Sequence, residues 1–172
     1  MKSTALTGGA LLSSSFTIEA MANSSGNKKL KLALVGCGGR GTGAAVQALR
    51  ADNDVELVAV ADAFSDRIES SLRAISEELD GERIVKVKEK SRYVGFNSYQ
   101  KAIDKADVVI LTTPPGFRPL HFKYAIENDK HVFMEKPVAT DSAGVRQVLE
   151  SAKLASKKNL NVVVGLQRRY QN

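Results

Sequence analysis

Short apolar runs alternate with amphipathic segments along the chain from Leu30 onward. The apolar runs occupy residues 30–35, 55–62, 107–113, 130–136 and 160–167. Their length and their richness in valine predict strands that are buried on both faces. Because helical segments separate these strands, we expect an α/β fold, a doubly wound parallel sheet with helices on both faces.

Helical periodicity fills most of the intervals between these strands. The second helix should begin at Ser65 as its N-cap and stop at Gly81. Residues 82–96 alternate apolar with charged side chains, which predicts an exposed strand or a long loop. Residues 141–159 should form a long helix capped by Asp141. Its apolar face is expected to contain Val145, Val148, Leu149, Ala152 and Ala155.

Composition and charge narrow the classes of function. The chain has 172 residues, enough for one domain with a sizeable core, and a net charge of +6. Its basic residues are scattered, whereas a nucleic-acid-binding surface concentrates them in a stripe, so we expect no nucleic-acid partner. The single cysteine, Cys37, excludes an internal disulfide and a cysteine-rich zinc site. With only two histidines as well, no metal site is expected.

Residues 1–27 differ in composition from the rest of the chain. They contain a weakly apolar middle, the small-residue sequence Ala20-Met21-Ala22 and a polar stretch, which is typical of an export signal with a cleavage site and a linker. The segment resembles the later part of a twin-arginine signal without its arginine pair. We therefore expect a periplasmic or exported protein, or a cytoplasmic one if the signal does not work; a disordered tail is the alternative. The apolar part is too short to span a membrane.

A glycine-rich loop, "VGCGGRG", joins the first strand to the first helix. Gly36, Gly38 and Gly41 match G-x-G-x-x-G, in which the first glycine permits a tight turn and the second lets the backbone approach a pyrophosphate. The third lets the helix pack closely on the strand. Unpaired amides at the start of the helix would then hold the anion. A purely structural turn or a methyltransferase loop would have similar glycines, so a second signal is needed.

That second signal is an acidic residue at the end of the second strand, about 20 residues downstream of the glycines. Asp62 ends "VELVAVAD" at this spacing. Its carboxylate is placed to accept hydrogen bonds from both ribose hydroxyls of an adenosine, and it would repel a 2′-phosphate, so the pattern predicts NAD rather than NADP as cofactor. The alternative is that Asp62 only forms a turn or caps a helix. Cys37 is interpreted as a small spacer within the loop.

Five segments together resemble the glucose–fructose oxidoreductase/inositol dehydrogenase (Gfo/Idh/MocA) family of NAD(P)-dependent sugar oxidoreductases. They are "VGCGGRG", "VAVAD", "TTPPGFRPLH", "MEKPVATD" and "GLQRRY", in that order over about residues 30–170. The pattern is especially similar to exported members, including those like the NAD-dependent α-N-acetylgalactosaminidases. The resemblance implies that residues 28–172 form a Rossmann NAD-binding domain.

The resemblance also implies the residues of the site. Those implied to bind the cofactor are Gly36, Gly38, Gly39, Arg40, Gly41, Asp62, Thr112, Thr113, Pro114, Glu135, Lys136 and Gln167. Glu135 and Lys136 would stand beside the nicotinamide as catalytic residues, with Lys136 stabilising an alkoxide or relaying the hydroxyl proton. Pro137 would fix the turn that aims the lysine, and a cis bond is expected as an option there. His121 is expected to pack or to cap the helix that carries it.

Family members carry a second, larger domain that supplies the substrate pocket, and we expect that domain to be absent from these residues. Residues 30–172 should then bind NAD without detectable sugar oxidation, because nothing would hold a sugar against the nicotinamide. The first hypothesis is the cofactor domain of an oxidoreductase that acts on a sugar or cyclitol hydroxyl, a homo-oligomer when full length. The second is an NAD-dependent glycosidase that oxidises C3 transiently. The third is a module that only binds NAD(H).

Overall fold

A computed structural model describes residues 29–79, 85 and 87–170, with the side chain of residue 170 excepted. The export-like segment 1–27 and the expected stop at Gly81 lie outside the described residues. Among the helices of the described part, none is long and apolar enough to cross a membrane.

Six parallel strands form one sheet within the described residues. They are β1 (Leu30–Val35), β2 (Val55–Asp62), β3 (Arg92–Val94), β4 (Val108–Leu111), β5 (His131–Met134) and β6 (Val162–Val164). The order across the sheet is β3-β2-β1-β4-β5-β6, and every neighbouring pair is parallel. The doubly wound parallel sheet expected from the sequence is confirmed. Its strand order reverses between β1 and β4, which opens a crevice at their carboxyl ends, where ligands bind in such sheets.

Helices cover both faces of the sheet. They are α1 (Gly39–Ala51), α2 (Ser65–Glu78), α3 (Ser98–Ile103), α4 (Arg118–Glu127), α5 (Ser142–Lys157) and α6 (Gln167–Tyr170), with a 3₁₀ turn at Glu89–Ser91. Apolar side chains of α1 and α2 form the core on one face, and those of α3, α4 and α5 form the core on the other. Within the described part of residues 82–96, the short strand β3 directly follows the 3₁₀ turn, so a strand is present at the end of the stretch where an exposed strand was one of the two expectations.

Two local expectations need correction. Ser65 is the first residue of α2 and not its N-cap; Phe64 holds the cap position, and the Asp62 carboxylate accepts a hydrogen bond from its amide at 3.1 Å. The strand expected over 107–113 ends at Leu111. Thr112 still donates from its amide to Val35 O at 2.8 Å, and its hydroxyl donates to Gly36 O in the glycine loop at 2.6 Å. In both places a side chain at the sheet edge supplies the hydrogen-bond partner of a backbone group: Asp62 accepts from the amide of Phe64, and Thr112 donates to the carbonyl of Gly36.

The apolar face expected for α5 is only partly buried. Asp141 caps the helix as expected, accepting a hydrogen bond from Gly144 N at 2.7 Å. Val148 and Ala155 are buried, whereas Val145 and Leu149 are 42% and 57% exposed. The helix packs against α4 at the edge of the fold, since β6 is the last strand of the sheet, and within the described residues nothing covers Val145 and Leu149 fully.

The glycines of α1 generate a prediction about stability. A Cβ on Gly41 would lie 2.0 Å from Gly36 O and 2.6 Å from Thr112 Oγ1, whereas one on Gly43 would meet nothing within 4 Å. We expect Gly41→Ala to lower the free energy of unfolding by about 1–3 kcal/mol through overpacking. The control Gly43→Ala should raise it by roughly 0.5–1 kcal/mol, because alanine favours a helix. Urea unfolding of both variants tests this, and equal effects would contradict the close approach.

Candidate functional site

The turn after β1 requires glycine at its first position. Gly36 has φ of +96°, in the left-handed region that side chains rarely adopt. A Cβ there would also lie 2.6 Å from the amide nitrogen of Thr113. The amide of Gly36 donates to Ala61 O of β2 at 2.8 Å, and its carbonyl accepts from Thr112 Oγ1, just after β4, at 2.6 Å, so the turn is tied to both sides. The first glycine of the motif therefore has the turn-forming role that the sequence predicts.

The outer side of the same loop is open. A Cβ on Gly38 or Gly39 would meet nothing within 4 Å. Gly38 is the N-cap of α1 and makes no side-chain capping bond, so the first amides of this 13-residue helix face open space. Backbone amides and the positive end of the helix dipole, with no side chain in the way, form a surface that an anionic group can approach closely.

Asp62 ends β2 directly beside this loop. Its Oδ2 accepts a hydrogen bond from Cys37 N at 2.7 Å, and its Oδ1 accepts one from Phe64 N at 3.1 Å. Asp62 thus has the turn-forming role that was the alternative interpretation. A carboxylate has about four lone-pair positions, so two bonds leave room for the two hydroxyls of a ribose. The two roles are compatible.

A cleft of about 460 Å³ lies at this edge of the sheet. Six of the sequence-predicted residues line it: Gly36, Gly38, Asp62, Thr112, Thr113 and Pro114. Sequence reasoning missed several other lining side chains: Phe64, Arg67, Phe96, Ser98, Tyr99, Phe117 and Arg118. A larger groove of about 860 Å³ lies near the amino ends of β1 and β2, among several lysines. The smaller cleft is the candidate site, because it contains residues of the glycine loop and the larger groove does not.

Glu135 follows β5 and is nearly buried, at 5% exposed. Arg40, at the start of α1, approaches its Oε1 with Nε at 2.8 Å and Nη2 at 2.6 Å. A Cβ on Gly165 would lie 2.5 Å from the same oxygen, so the carboxylate is enclosed on its other side. The ion pair joins the glycine loop to the end of β5. Two predicted cofactor residues thus contact each other directly.

Lys136 comes next and is exposed. The bond between Lys136 and Pro137 is cis, as the sequence allowed. Gln167, the last of the predicted residues, is exposed at the start of α6 and is not among the residues that line the cleft. Six of the twelve predicted residues thus line the cleft, Arg40 and Glu135 pair with each other at the same sheet edge, and Glu135, Lys136 and Gln167 are not among the lining residues.

Arg118 is a buried residue that links two loops of this edge. It is 4% exposed, and its guanidinium donates to Pro137 O and, at 2.5 Å, to Thr113 O. Burial lowers the pKa of Arg118, while the negative charge of Glu135 raises it. Its Nε is buried without a partner among the described residues. In the sequence, Arg118 is marked only by its place in the segment "TTPPGFRPLH", which does not indicate that it links two loops.

His121 and Cys37 are both buried and both uncharged at neutral pH. Burial, assisted by the charge of Arg118, lowers the pKa of His121 to about 4. Its ring stacks on Tyr99 at 4.2 Å, and its Nδ1 lies 3.1 Å from Thr113 Oγ1. Burial and the charge of Asp62 raise the pKa of the Cys37 thiol to about 12, so it is a packed spacer and not a reactive thiolate. The packing role expected for His121 is confirmed.

Comparison with known families agrees with this geometry. Residues 30–166 match the Gfo/Idh/MocA family model, described as an oxidoreductase family with an NAD-binding Rossmann fold. The chain belongs to this family. The match begins at β1 and includes the glycine loop, Asp62 and the turn with Glu135 and Lys136. NAD is accordingly the cofactor of this domain.

Solved structures of similar fold include inositol dehydrogenases. Myo-inositol 2-dehydrogenase from Lactobacillus plantarum is 26% identical, with a TM-score of 0.65, over 84% of this chain and 38% of its own length. An NAD-binding protein from Listeria innocua is 27% identical, with a TM-score of 0.60, over 83% and 36%. Scyllo-inositol dehydrogenase from Lactobacillus casei, solved with NAD(H) and scyllo-inositol, is 20% identical (TM-score 0.65, 84% and 38%) and agrees in fold alone. A comparison with curated protein sequences gave no significant match. The chain spans less than half the length of these structures.

The residues of the cleft fit NAD. The open faces of Gly38 and Gly39 leave space for a pyrophosphate against the start of α1. Asp62 has free acceptor capacity for the adenosine ribose. Three further predicted residues, Thr112, Thr113 and Pro114, line the same cleft. The start of α1 thus offers space and amides for the pyrophosphate, and Asp62 offers acceptors for the adenosine ribose.

Gly38 gives a direct test of the loop. Gly38→Val should abolish NAD binding, because the new side chain occupies the space that the pyrophosphate needs. The fold should be unchanged, since Gly38 has φ of −75° and a Cβ there meets nothing within 4 Å. Calorimetric titration with NAD and far-ultraviolet circular dichroism measure the two effects. Gly43→Val, with the same open surroundings further along α1, is the control and should keep its affinity; retained affinity in Gly38→Val would contradict the proposed phosphate surface.

His121 generates a prediction about pH. Its pKa falls from 6.5 to about 4 on folding, so below pH 6.5 the unfolded chain binds more protons than the folded one. Stability should therefore decrease as the pH falls from about 6.5 to about 4, by on the order of 3 kcal/mol from this residue. His121→Phe keeps an aromatic ring and removes the proton site, so its urea-unfolding free energy should fall less over that range. An identical loss in both proteins would contradict the buried neutral histidine.

Proposed function

We propose that this chain is the cofactor-binding part of an oxidoreductase that transfers a hydride between NAD and a hydroxyl group of a sugar or cyclitol. One observation carries the proposal: the turn with Lys136 stands at the same sheet edge as the glycine loop and is tied to it by the Arg40–Glu135 ion pair. The similarity to a structure described as myo-inositol 2-dehydrogenase, at 26% identity, supports the choice of substrate class.

The position of Lys136 follows from the register of the sheet. Leu111 pairs with Met134, and the amide of Glu135 donates to Leu111 O at 3.0 Å. The residue after Glu135 therefore lies beside Thr112 and Thr113, which line the cleft. Arg118 fixes the two turns relative to each other through the carbonyls of Thr113 and Pro137.

The chemistry needs a group that handles the hydroxyl proton. When bound, NAD supplies the hydride acceptor, and the substrate hydroxyl must lose its proton as the carbon–hydrogen bond breaks. The ammonium of Lys136 would donate a hydrogen bond to the substrate oxygen and stabilise the negative charge that develops on it. Arg40 already provides the charge partner of Glu135, so that carboxylate does not compete for the lysine.

Lys136 is tested by substitution in the complete protein. Lys136→Met should lower kcat for inositols or pyranoses by roughly 10²–10⁴-fold, the range typical of a positioned acid–base group, with the Kd for NAD unchanged. Lys136→Arg keeps the positive charge and should retain part of the activity. NADH formation measures turnover, and calorimetric titration measures cofactor affinity. The control is Lys157→Met, a like substitution at the end of α5, which should leave both quantities unchanged.

Each competing function gives a different result. Unchanged kcat in Lys136→Met would contradict the role of the lysine. Release of an aglycone from a glycoside without net NADH would contradict the oxidoreductase and indicate the NAD-dependent glycosidase. NAD binding without turnover of any cyclitol, pyranose or glycoside would indicate a module that only binds the cofactor.

A further inference from the structure

The groove of about 860 Å³ near the amino ends of the strands collects positive charge. Its charged lining consists of five lysines and one glutamate: Lys29, Lys31, Lys88, Lys90, Lys105 and Glu56. The lysines come from the start of β1, the 3₁₀ turn before β3 and the residues before β4. Because the amino ends of parallel strands lie at the same edge of the sheet, the fold gathers cations that are scattered along the sequence. We call this feature the lysine groove.

The base of the lysine groove is aliphatic. Val55, Val58 and Val85 line it and are half-buried, and two leucines of the core contribute beneath them. Four of the five lysines are exposed, and Lys31 is half-buried. A ligand in the groove would therefore contact aliphatic carbon at the base and ammonium groups at the rim.

The charges of the rim are poorly balanced within the described residues. No ion pair there involves any of the five lysines. Glu56 is the neighbour of Lys31 in the register of β1 and β2, and Asp107 accepts a hydrogen bond from the Lys31 amide at 3.0 Å. These two carboxylates leave an excess of positive charge. Like charges repel one another, and an anionic partner that steers towards such a surface would relieve the repulsion.

The lining residues distinguish between classes of anion. Surfaces that bind single-stranded nucleic acid present aromatic rings on which bases stack, and the only aromatic residue lining this groove is the half-buried Tyr93. The cations are all lysines, which act as point charges, and none is the arginine that forms bidentate bonds with phosphate. An anionic polysaccharide has no aliphatic side chains for the valine base. A peptide with both carboxylate and aliphatic side chains matches the rim and the base together.

We propose that the lysine groove is a docking surface for an acidic segment of a partner protein, in which carboxylate side chains contact the lysines and aliphatic side chains contact the valines. The inference goes beyond the proposed hydride transfer and does not depend on it, because the groove lies at the sheet edge opposite the cofactor cleft.

A peptide probe tests this surface in the full chain. The probe is a short, fluorescein-labelled peptide with glutamate and leucine in equal numbers, and fluorescence anisotropy measures its binding. A peptide of the same charge with serine in place of leucine should bind roughly 10-fold more weakly, the effect of partly burying one leucine. Binding of both peptides should weaken as salt is added, because salt screens exposed charges.

The lysines are tested by neutral substitution. Lys88→Gln combined with Lys90→Gln should weaken binding of the leucine peptide by about 2- to 30-fold, the range for two exposed ion pairs. The affinity for NAD should be unchanged, which also confirms the fold. The matched control combines Lys153→Gln with Lys157→Gln, two exposed lysines of α5 outside the groove, and should change neither affinity. Lys105→Gln is a second variant from a different segment and should also weaken peptide binding.

Several results would overturn the proposal. One is a Kd for the leucine peptide weaker than about 1 mM, and another is an unchanged Kd in both groove variants. Tighter binding of a heparin fragment or an oligothymidylate than of the leucine peptide, lost in the same variants, would identify a polyanion as the ligand instead. A lower sedimentation coefficient of the Lys88/Lys90 variant without any peptide would show that a second copy of the chain occupies the groove.

Discussion

The site depends on one contact, the meeting of β1, α1 and β4 with no room for a side chain between them. The position where a Cβ of Gly41 would lie is 2.0 Å from Gly36 O, and Thr112 Oγ1 donates to that same carbonyl at 2.6 Å. The start of α1 is thereby held against the ends of two strands. The open amides of the loop and the cleft beside it lie directly next to this contact. A fold with the same strand order but a larger residue at position 41 would place its first helix away from the edge.

Two arginines make the carboxyl edge a connected frame. Arg40 joins the glycine loop to Glu135, and Arg118 joins the loop after β4 to the turn after β5 through two carbonyls. Glu135 and Arg118 are both nearly buried, and burying a charge is unfavourable unless it is paired or hydrogen-bonded, so the contacts of these two residues offset part of that cost. Because Glu135 and Lys136 share one turn, the orientation of the exposed lysine depends on two side chains that lie far from it in sequence.

Sequence patterns predicted the layers well and the details of burial less well. The central strands were located correctly because a strand buried on both faces is a continuous apolar run, a signal contained in the run itself. The strand expected over 160–167 was too long: β6 covers only Val162–Val164, and Gln167 already belongs to α6. The face of α5 was partly wrong because Val145 and Leu149 match the helical period yet meet no neighbour wide enough to cover them. Ser65 was misplaced since the group that satisfies the start of α2 is the Asp62 carboxylate from the preceding strand end, and the hydroxyl of Ser65 forms no capping bond.

By itself the sequence determined the order of strands and helices, the glycine loop, the acidic end of β2 and the turn with Glu135 and Lys136. Each of these is a local pattern whose chemistry follows from a few consecutive residues. Only the tertiary structure decided that Arg40 pairs with a carboxylate 95 residues away, that Arg118 links two turns, and that Phe96, Phe117, His121 and Tyr99 stack in one series. Those contacts join residues that follow different strands, and such residues meet only where the parallel sheet brings its carboxyl ends together.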